Sequence, residues 1–357
     1  MTSPSHPPRG PVLLCGMLPE ELTEKIDISP RFRGTQLFQW IHQKSVFNFT
    51  EMSNLPIALR DSLTENFFSA LSSTVDAVHR DDDGTVKITI TLYDGAVIEA
   101  VLLEDEEGRR TACISSQAGC SLGCTFCRTA TMGLLRNLYA GEIVEQVLHL
   151  KHEFGKISNV VFMGMGEPLL NLDEVQKAIE VLHHPEGHYI GIRKITISTS
   201  GIVPGIYRLA EEGPHVRLAL SLITADQELR EQLMPIAETM PLADLHPALL
   251  HYQKKTGKRI TLEYVLFHGL NNRRQDLESL RKFIRSLKVL VNIIPWNPVE
   301  GLPYTEPQQH EIAAFTQQLE SAGITTSRRF RRGRGVNGAC GQLAVPKNRQ
   351  PDPAEEE

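Results

Sequence analysis

CISSQAGCSLGCTFCRTATMGLLRN, residues 113 to 137, carries four of the chain's six cysteines within its first 15 positions. Three of them, Cys120, Cys124 and Cys127, follow the spacing C-x3-C-x2-C. Cysteine thiolates are the usual ligands of iron–sulfur clusters, so three on one short loop can hold three corners of a cubic [4Fe-4S] cluster. The fourth iron then has no protein ligand and can bind a substrate or cofactor directly. The alternative is a structural zinc site, which takes four ligands. Cys113 is the nearest spare thiol, but its distance from Cys120 is not a usual zinc-knuckle interval.

Outward from this loop the chain alternates strand and helix. TACISSQ reads as a strand entering the loop. Glu142 to Phe154 reads as a helix with Ile143, Val147, Leu150 and Phe154 on one face. NVVFMGMG, KITISTSG, VRLALSL, ITLEYVLF, VLVNIIPW and ITTSRRF are further apolar strands. Amphipathic segments separate them, near residues 172–183, after 201, near 226, and at 247–254, 276–287 and 307–322. This alternation means an α/β fold with a parallel sheet. Six or seven repeats in roughly 230 residues predict a partial or complete (β/α) barrel.

Before the loop the rhythm differs. Residues 1–14 are rich in Pro, Ser and Gly and are expected to be disordered. Residues 15–73 read as a helical accessory module, with helices at PEELTEKI, from Gln36 to Lys44, and after Pro56. Its scattered basic residues suit either a stabilising cap or RNA docking. Residues 74–108 switch to period two, with DDDG and YDG as turns, and predict an antiparallel three-stranded extension. Glu99 is a charged residue inside its last, mostly apolar strand. It is either solvated or held for chemistry. Residues 109–345 form the expected barrel core with a C-terminal cysteine segment, and 346–357 a disordered acidic tail.

Hydrophobic residues at 41% and charged residues at 22% are an ordinary globular balance. No apolar run is long enough for a membrane helix. The N-terminus lacks the order of a secretory signal. Clustered cysteines suit a reducing compartment, so a cytoplasmic protein is expected. A net charge of −6 argues weakly against a nucleic-acid partner, but SRRFRRGRG, residues 327–335, packs five arginines into nine positions just before Cys340.

In parallel barrels the active site lies at the C-terminal ends of the strands. There the chain places Gly164-Met165-Gly166-Glu167-Pro168, whose glycines admit a ligand to the backbone and whose Glu167 can accept from an amine. It also places Ser198-Thr199-Ser200-Gly201, with hydroxyls for a ribose or a helix cap, and Ser221-Leu222-Ile223. Asn297, between two prolines, can read an adenine edge or form an Asx turn. An open-iron cluster opposite these groups suits S-adenosylmethionine, which has an amine and a carboxylate to chelate iron and a nucleoside beyond them.

These motifs together resemble the radical S-adenosylmethionine enzymes. More narrowly, CISSQAGCSLGCTFC, GLLRNL, MGMGEPLLN, ITISTSGIVP, IIPWNP and ACGQL resemble the RlmN/Cfr family of RNA adenine methyltransferases. FRGTQLFQWIHQKSVFNFTEMSNLP extends the likeness into the helical module, so it covers nearly the whole chain.

The resemblance implies two S-adenosylmethionine molecules per turnover. One methylates Cys340. The other is cleaved at the cluster, and its radical takes a hydrogen from that methyl group. The carbon radical then adds to an adenine carbon, Glu99 accepts a proton, and Cys113 forms a disulfide with Cys340 to release the product. Cofactor contacts carry over to Gly166, Glu167, Ser198, Ser221, Leu222, Ile223 and Asn297. The implied partners are large-subunit rRNA and tRNA and a one-electron donor such as flavodoxin or ferredoxin, with the chain a monomer. Ile223 departs from a position that is often polar in the family, such as His, and offers only its backbone. Arg128 departs from a common Ser or Ala. C2 of adenine is the expected target, against C8 in a Cfr-like enzyme. The rival readings are a non-catalytic zinc-bound RNA-binding protein and a radical enzyme acting on a protein or small molecule.

Overall fold

The computed structural model describes residues 12–67, 69–328 and 332–345. Three short helices open the chain: α1 (Pro19–Lys25), α2 (Phe32–Phe38) and α3 (Ile57–Phe67). The helix expected over Gln36 to Lys44 starts earlier, as α2, and runs on as a π-helical turn at Gln39–Gln43. Leu13 and Leu14 are buried, so the disorder expected to residue 14 stops short of them. Residues 1–11 and the acidic tail lie outside the described residues.

The strands are β1 (Thr74–Arg80), β2 (Val86–Thr91), β3 (Val97–Glu104), β4 (Arg110–Cys113), β5 (Gln117–Gly119), β6 (Leu134–Asn137), β7 (Asn159–Phe162), β8 (Ile195–Thr199), β9 (Arg217–Ser221), β10 (Ile260–Leu266), β11 (Val289–Pro295) and β12 (Thr326–Arg328). Between them run α4 (Ala140–Phe154), α5 (Leu172–His183), α6 (Val203–Glu212), α7 (Gln227–Leu233), α8 (Leu242–Thr256), α9 (Arg274–Phe283) and α10 (Gln309–Ser321). Among the described residues one ten-stranded sheet runs β1-β2-β3-β4-β7-β8-β9-β10-β11-β12, with β1 and β12 at its edges. From β4 to β12 every pair is parallel, so the barrel is partial.

The meander is the expected antiparallel extension, and it continues the parallel sheet. β3 pairs antiparallel with β4, Val101 opposite Cys113, which welds it to the parallel sheet. The strand expected through TACISSQ breaks after Cys113. β5 leaves the main sheet and pairs with β6 as a hairpin that frames the cysteine loop.

Two polar staples fix the helical module to the core. Glu145 in α4 is buried, and its carboxylate accepts from Ser72 N and Oγ at 2.9 Å and from Ser73 N at 3.0 Å. Lys151 Nζ donates to the carbonyls of His42 and Gln43 at 2.6 and 2.8 Å. Among the described residues no helix is long and apolar enough to cross a membrane.

Candidate active site

One cavity of about 180 Å³ opens at the C-terminal ends of the strands. Cys120, Cys124 and Cys127 line it, facing Gly166, Glu167, Ser198, Ser200, Ser221, Ile223 and Asn297. Burial pushes the Cys120 thiol up to about 11 and raises Cys124 and Cys127 as well. Such thiols ionise only when a cation offsets the desolvation. Phe126, Phe267 and Trp296 form an apolar shell beside them, and Trp296 Nε1 donates to the Phe126 carbonyl at 3.2 Å.

A smaller cavity of about 60 Å³ adjoins this one. Cys113, at the end of β4, lines it together with Met163, Arg332 and Cys340. Cys340 lines both cavities, as does Asn297. Cys113 is therefore not on the wall that the thiol triad lines, and it shares the smaller cavity with Cys340. Among the described residues no three His, Cys, Asp or Glu side chains converge closely enough to hold one metal ion. Three soft thiolate donors on one loop, with the fourth corner left to another ligand, are the donor set of an iron–sulfur cube. The donor set thus fits the cluster.

The glycines of GMGEP serve the chain itself. A Cβ at Gly164 would lie 2.7 Å from the Ile114 carbonyl carbon, and one at Gly166, with φ +97°, 2.5 Å from Gln117 Cβ. The missing side chains let the β7 end press against the segment leaving β4. Glu167 is buried, and Oε1 accepts from Leu169 N at 3.0 Å. Its Oε2 accepts from Ser200 N and Oγ at 2.7 and 2.8 Å. Burial nevertheless raises its pKa. Glu167 ties two strand ends together, and Ser200 bonds to it instead of capping α6.

Ser198 and Ser221 face each other, Oγ to Oγ at 3.4 Å, and supply the expected hydroxyls. Leu222 does not line this cavity. Its side chain is core, and its carbonyl accepts from Arg230 Nε at 3.2 Å. Ile223 has φ +65°, a strained conformation for a β-branched residue. Its amide donates to the Glu263 carbonyl and its own carbonyl accepts from Asn271 Nδ2, so its backbone is already engaged. Asn297 Nδ2 donates to the Cys340 carbonyl at 3.3 Å, while Oδ1 is buried and has no partner among the described residues. That orphan acceptor on the wall of both cavities fits a ligand donor.

Glu99 lies behind the C-terminal segment, on neither cavity wall. Its Oε1 pairs with Lys87 Nζ at 2.7 Å and its Oε2 accepts from the Ala344 amide at 2.9 Å. Burial pushes its carboxyl above the ordinary range, and Lys87 opposes this. Sequence reasoning missed Lys87, because strand alternation does not signal a buried lysine. It also missed Glu263 on the large cavity, although that residue is the lone charge in ITLEYVLF, the same signal that Glu99 gave. Of the arginine run, Arg332 donates to the Glu104 carbonyl and Arg334 pairs with Glu306 at 2.9 Å. Those two have partners within the protein itself. Arg329 and Arg331 lie outside the described residues.

Parallel strands ending in a three-thiol loop define a radical SAM enzyme, and residues 114–284 match the radical SAM superfamily model. Residues 19–68 match the ribosomal RNA large subunit methyltransferase N-terminal domain. A crystal structure of a radical SAM methyltransferase from Sphaerobacter thermophilus aligns with TM-score 0.89 and 39% identity, covering 93% of this chain and 99% of that one. The "probable dual-specificity RNA methyltransferase RlmN" of Treponema denticola is 48% identical over 330 residues, 92% of this chain and 94% of that protein. The dual-specificity RNA methyltransferase RlmN of Lawsonia intracellularis is 45% identical over 323 residues, 87% of this chain and 90% of its own length. The chain belongs to the RlmN family of radical SAM methyltransferases. Membership implies a [4Fe-4S] cluster and S-adenosylmethionine, for which the residues present are suited.

Proposed function

We propose that this chain methylates C2 of an adenosine in large-subunit rRNA and in tRNA, with Cys340 as methyl carrier and Cys113 as resolving thiol. One observation carries the reading: Cys340 stands on the wall of the cluster cavity and, on its other side, shares a cavity with Cys113. A methyl carrier needs both neighbours, one to load it and one to free it. The relatives named above as dual-specificity RNA methyltransferases support rRNA and tRNA as substrates.

Cys120, Cys124 and Cys127 would hold the cluster, and Gly166, Glu167, Ser198, Ser221 and Asn297 would frame S-adenosylmethionine beside it. When bound, these groups supply a methyl donor and one-electron chemistry, at two S-adenosylmethionine molecules per turnover. Adenine C2 is neither acidic nor nucleophilic, so plain displacement has no easy route to it. The apolar shell of Phe126, Phe267 and Trp296 excludes water from the thiol loop. Release follows thiol exchange logic. The Cys113 thiolate attacks the Cys340 sulfur, an S–S bond forms as the carbon–sulfur bond breaks, and the electron pair leaves with the carbon, which takes a proton. An external dithiol then reduces the disulfide. Glu99 accepts the proton that leaves adenine C2 in this scheme, and because Lys87 and Ala344 engage its two oxygens, it acts only once the C-terminal segment shifts.

The substrate base must be unstacked to reach the cavity. An electron donor of the flavodoxin or ferredoxin type, a cytoplasmic setting and a monomer complete the reading. Anaerobic methylation of rRNA and tRNA fragments, with base-level mass mapping, tests it. Methyl at adenine C2 is expected. Methyl at C8 would overturn the position, and a colourless reconstituted protein unable to cleave S-adenosylmethionine would overturn the enzyme.

A further inference from the structure

The turn between β1 and β2 grips the segment that carries Cys340. The Gly333 amide donates to Asp83 Oδ2 at 2.8 Å, and the Gly335 amide to Asp81 Oδ2 at 2.9 Å. The fit is close. A methyl group at Gly335 would lie 2.8 Å from Asp81 Oδ1, and one at Gly333 2.8 Å from Thr85 Cγ2. Partial burial opposes ionisation of Asp83, yet hydrogen bonds from Thr85 and Gly333 and the Arg332 charge hold its carboxyl below the ordinary range.

Beyond Cys340 the segment is fastened again. Arg128 N donates to the Gly341 carbonyl at 2.8 Å, Thr129 Oγ1 to that of Leu343 at 2.6 Å, and Ala344 N to Glu99. Around Cys340 the turn is closed by Gln342, whose backbone amide donates to the Ala339 carbonyl at 3.0 Å and whose Nε2 donates to the Pro298 carbonyl at 2.9 Å, and the Cys340 carbonyl accepts from Asn297 at 3.3 Å. Fastening before, around and after the turn holds the Cys340 thiol at one place on the cavity wall. Hydrogen bonds to carboxylates are about twice as strong as neutral ones, so the acidic turn is a firm anchor.

We propose that Asp83 and Asp81 are positioning residues for the methyl-carrier segment. Their carboxylates hold residues 333–335 against the β1–β2 turn and so keep Cys340 on the wall shared by the two cavities. The proposal rests on the reading of Cys340 as methyl carrier.

The test uses the full chain, cluster-loaded and anaerobic, with timed iodoacetamide labelling read for each cysteine by peptide mass spectrometry. Asp81→Ala/Asp83→Ala is expected to speed Cys340 labelling by about tenfold or more, because losing both anchors makes local opening more frequent. The kcat for RNA methylation should fall while the KM for RNA holds. Asp83→Asn, which keeps an acceptor oxygen, should restore most of the protection. Cys15, buried in the helical module, reports folding and should stay slow. If it labels too, Gly335→Ala opens the same contact without removing a carboxylate and should give the same acceleration. Unchanged Cys340 labelling in a folded variant overturns the proposal. Labelling does not need catalysis, so full turnover by Cys340→Ala would overturn the carrier reading and leave the anchor standing.

Discussion

Lys87 Nζ and Glu99 Oε1 lie 2.7 Å apart, with side chains 10% and 5% exposed, beneath the segment that carries Cys340. Removing one partner of a buried pair costs more than removing both, because a lone charge is left without water. Lys87→Met is therefore expected to lose about 3 kcal/mol of stability. The double variant Lys87→Met/Glu99→Leu should recover most of it. Urea midpoints measure both. A single variant within about 0.5 kcal/mol of the parent would show that the pair is not doing this.

Gly166 combines a positive φ with a backbone pressed on Gln117. Gly166→Ala adds left-handed strain and a methyl that must displace β5, together about 2–4 kcal/mol. Denaturant unfolding should show that loss, and equilibrium dialysis should show weaker S-adenosylmethionine binding. Normal stability and binding would mean that the close approach of β7 to β5 is not needed.

His42, in the π-helical turn, is buried and pushed down to about 3 by burial and by the nearby Lys151 and His184 charges. His188, whose ring centroid is 5.5 Å away, is lowered for the same main reason. A base with a depressed folded pKa stabilises above its unfolded pKa and loses that contribution as pH falls. The window runs from about 6.5, where the unfolded histidine takes its proton, down to about 3. Between pH 7 and pH 5 His42 alone should cost about 2 kcal/mol. His42→Leu should flatten the slope of stability against pH by about that amount, and an unaltered slope would remove His42 as its source.

Much of the fold is written in local pattern. α5 falls where Val175, Ile179 and Leu182 recur at helical spacing, and all three are buried. What escapes is non-local. Asp105 to Gly108 carries the same turn signal as DDDG, but local pattern does not tell that the strand after it, β4, also pairs with β7 and so merges two sheets into one. A run of arginines reads the same whether it faces phosphate or, as at Arg334, a glutamate of its own chain. The thiol triad is legible because its three members sit on one loop. The nearness of Cys113 to Cys340 spans more than 200 residues and was reached only through family resemblance. The glycines of GMGEP line the large cavity, as expected, and they also make room for Ile114 and Gln117, a close approach that no local pattern signals.

The central claim is that Cys340 carries the methyl carbon and Cys113 frees it. Incubating Cys113→Ala, cluster-loaded and anaerobic, with S-adenosylmethionine, a reductant and an rRNA fragment tests it most directly, by mass spectrometry of the protein digested with nuclease and protease. The account predicts a stable adduct of one adenosine joined through a single carbon to Cys340, with little free methylated RNA. Full turnover with an unmodified Cys340 would contradict it.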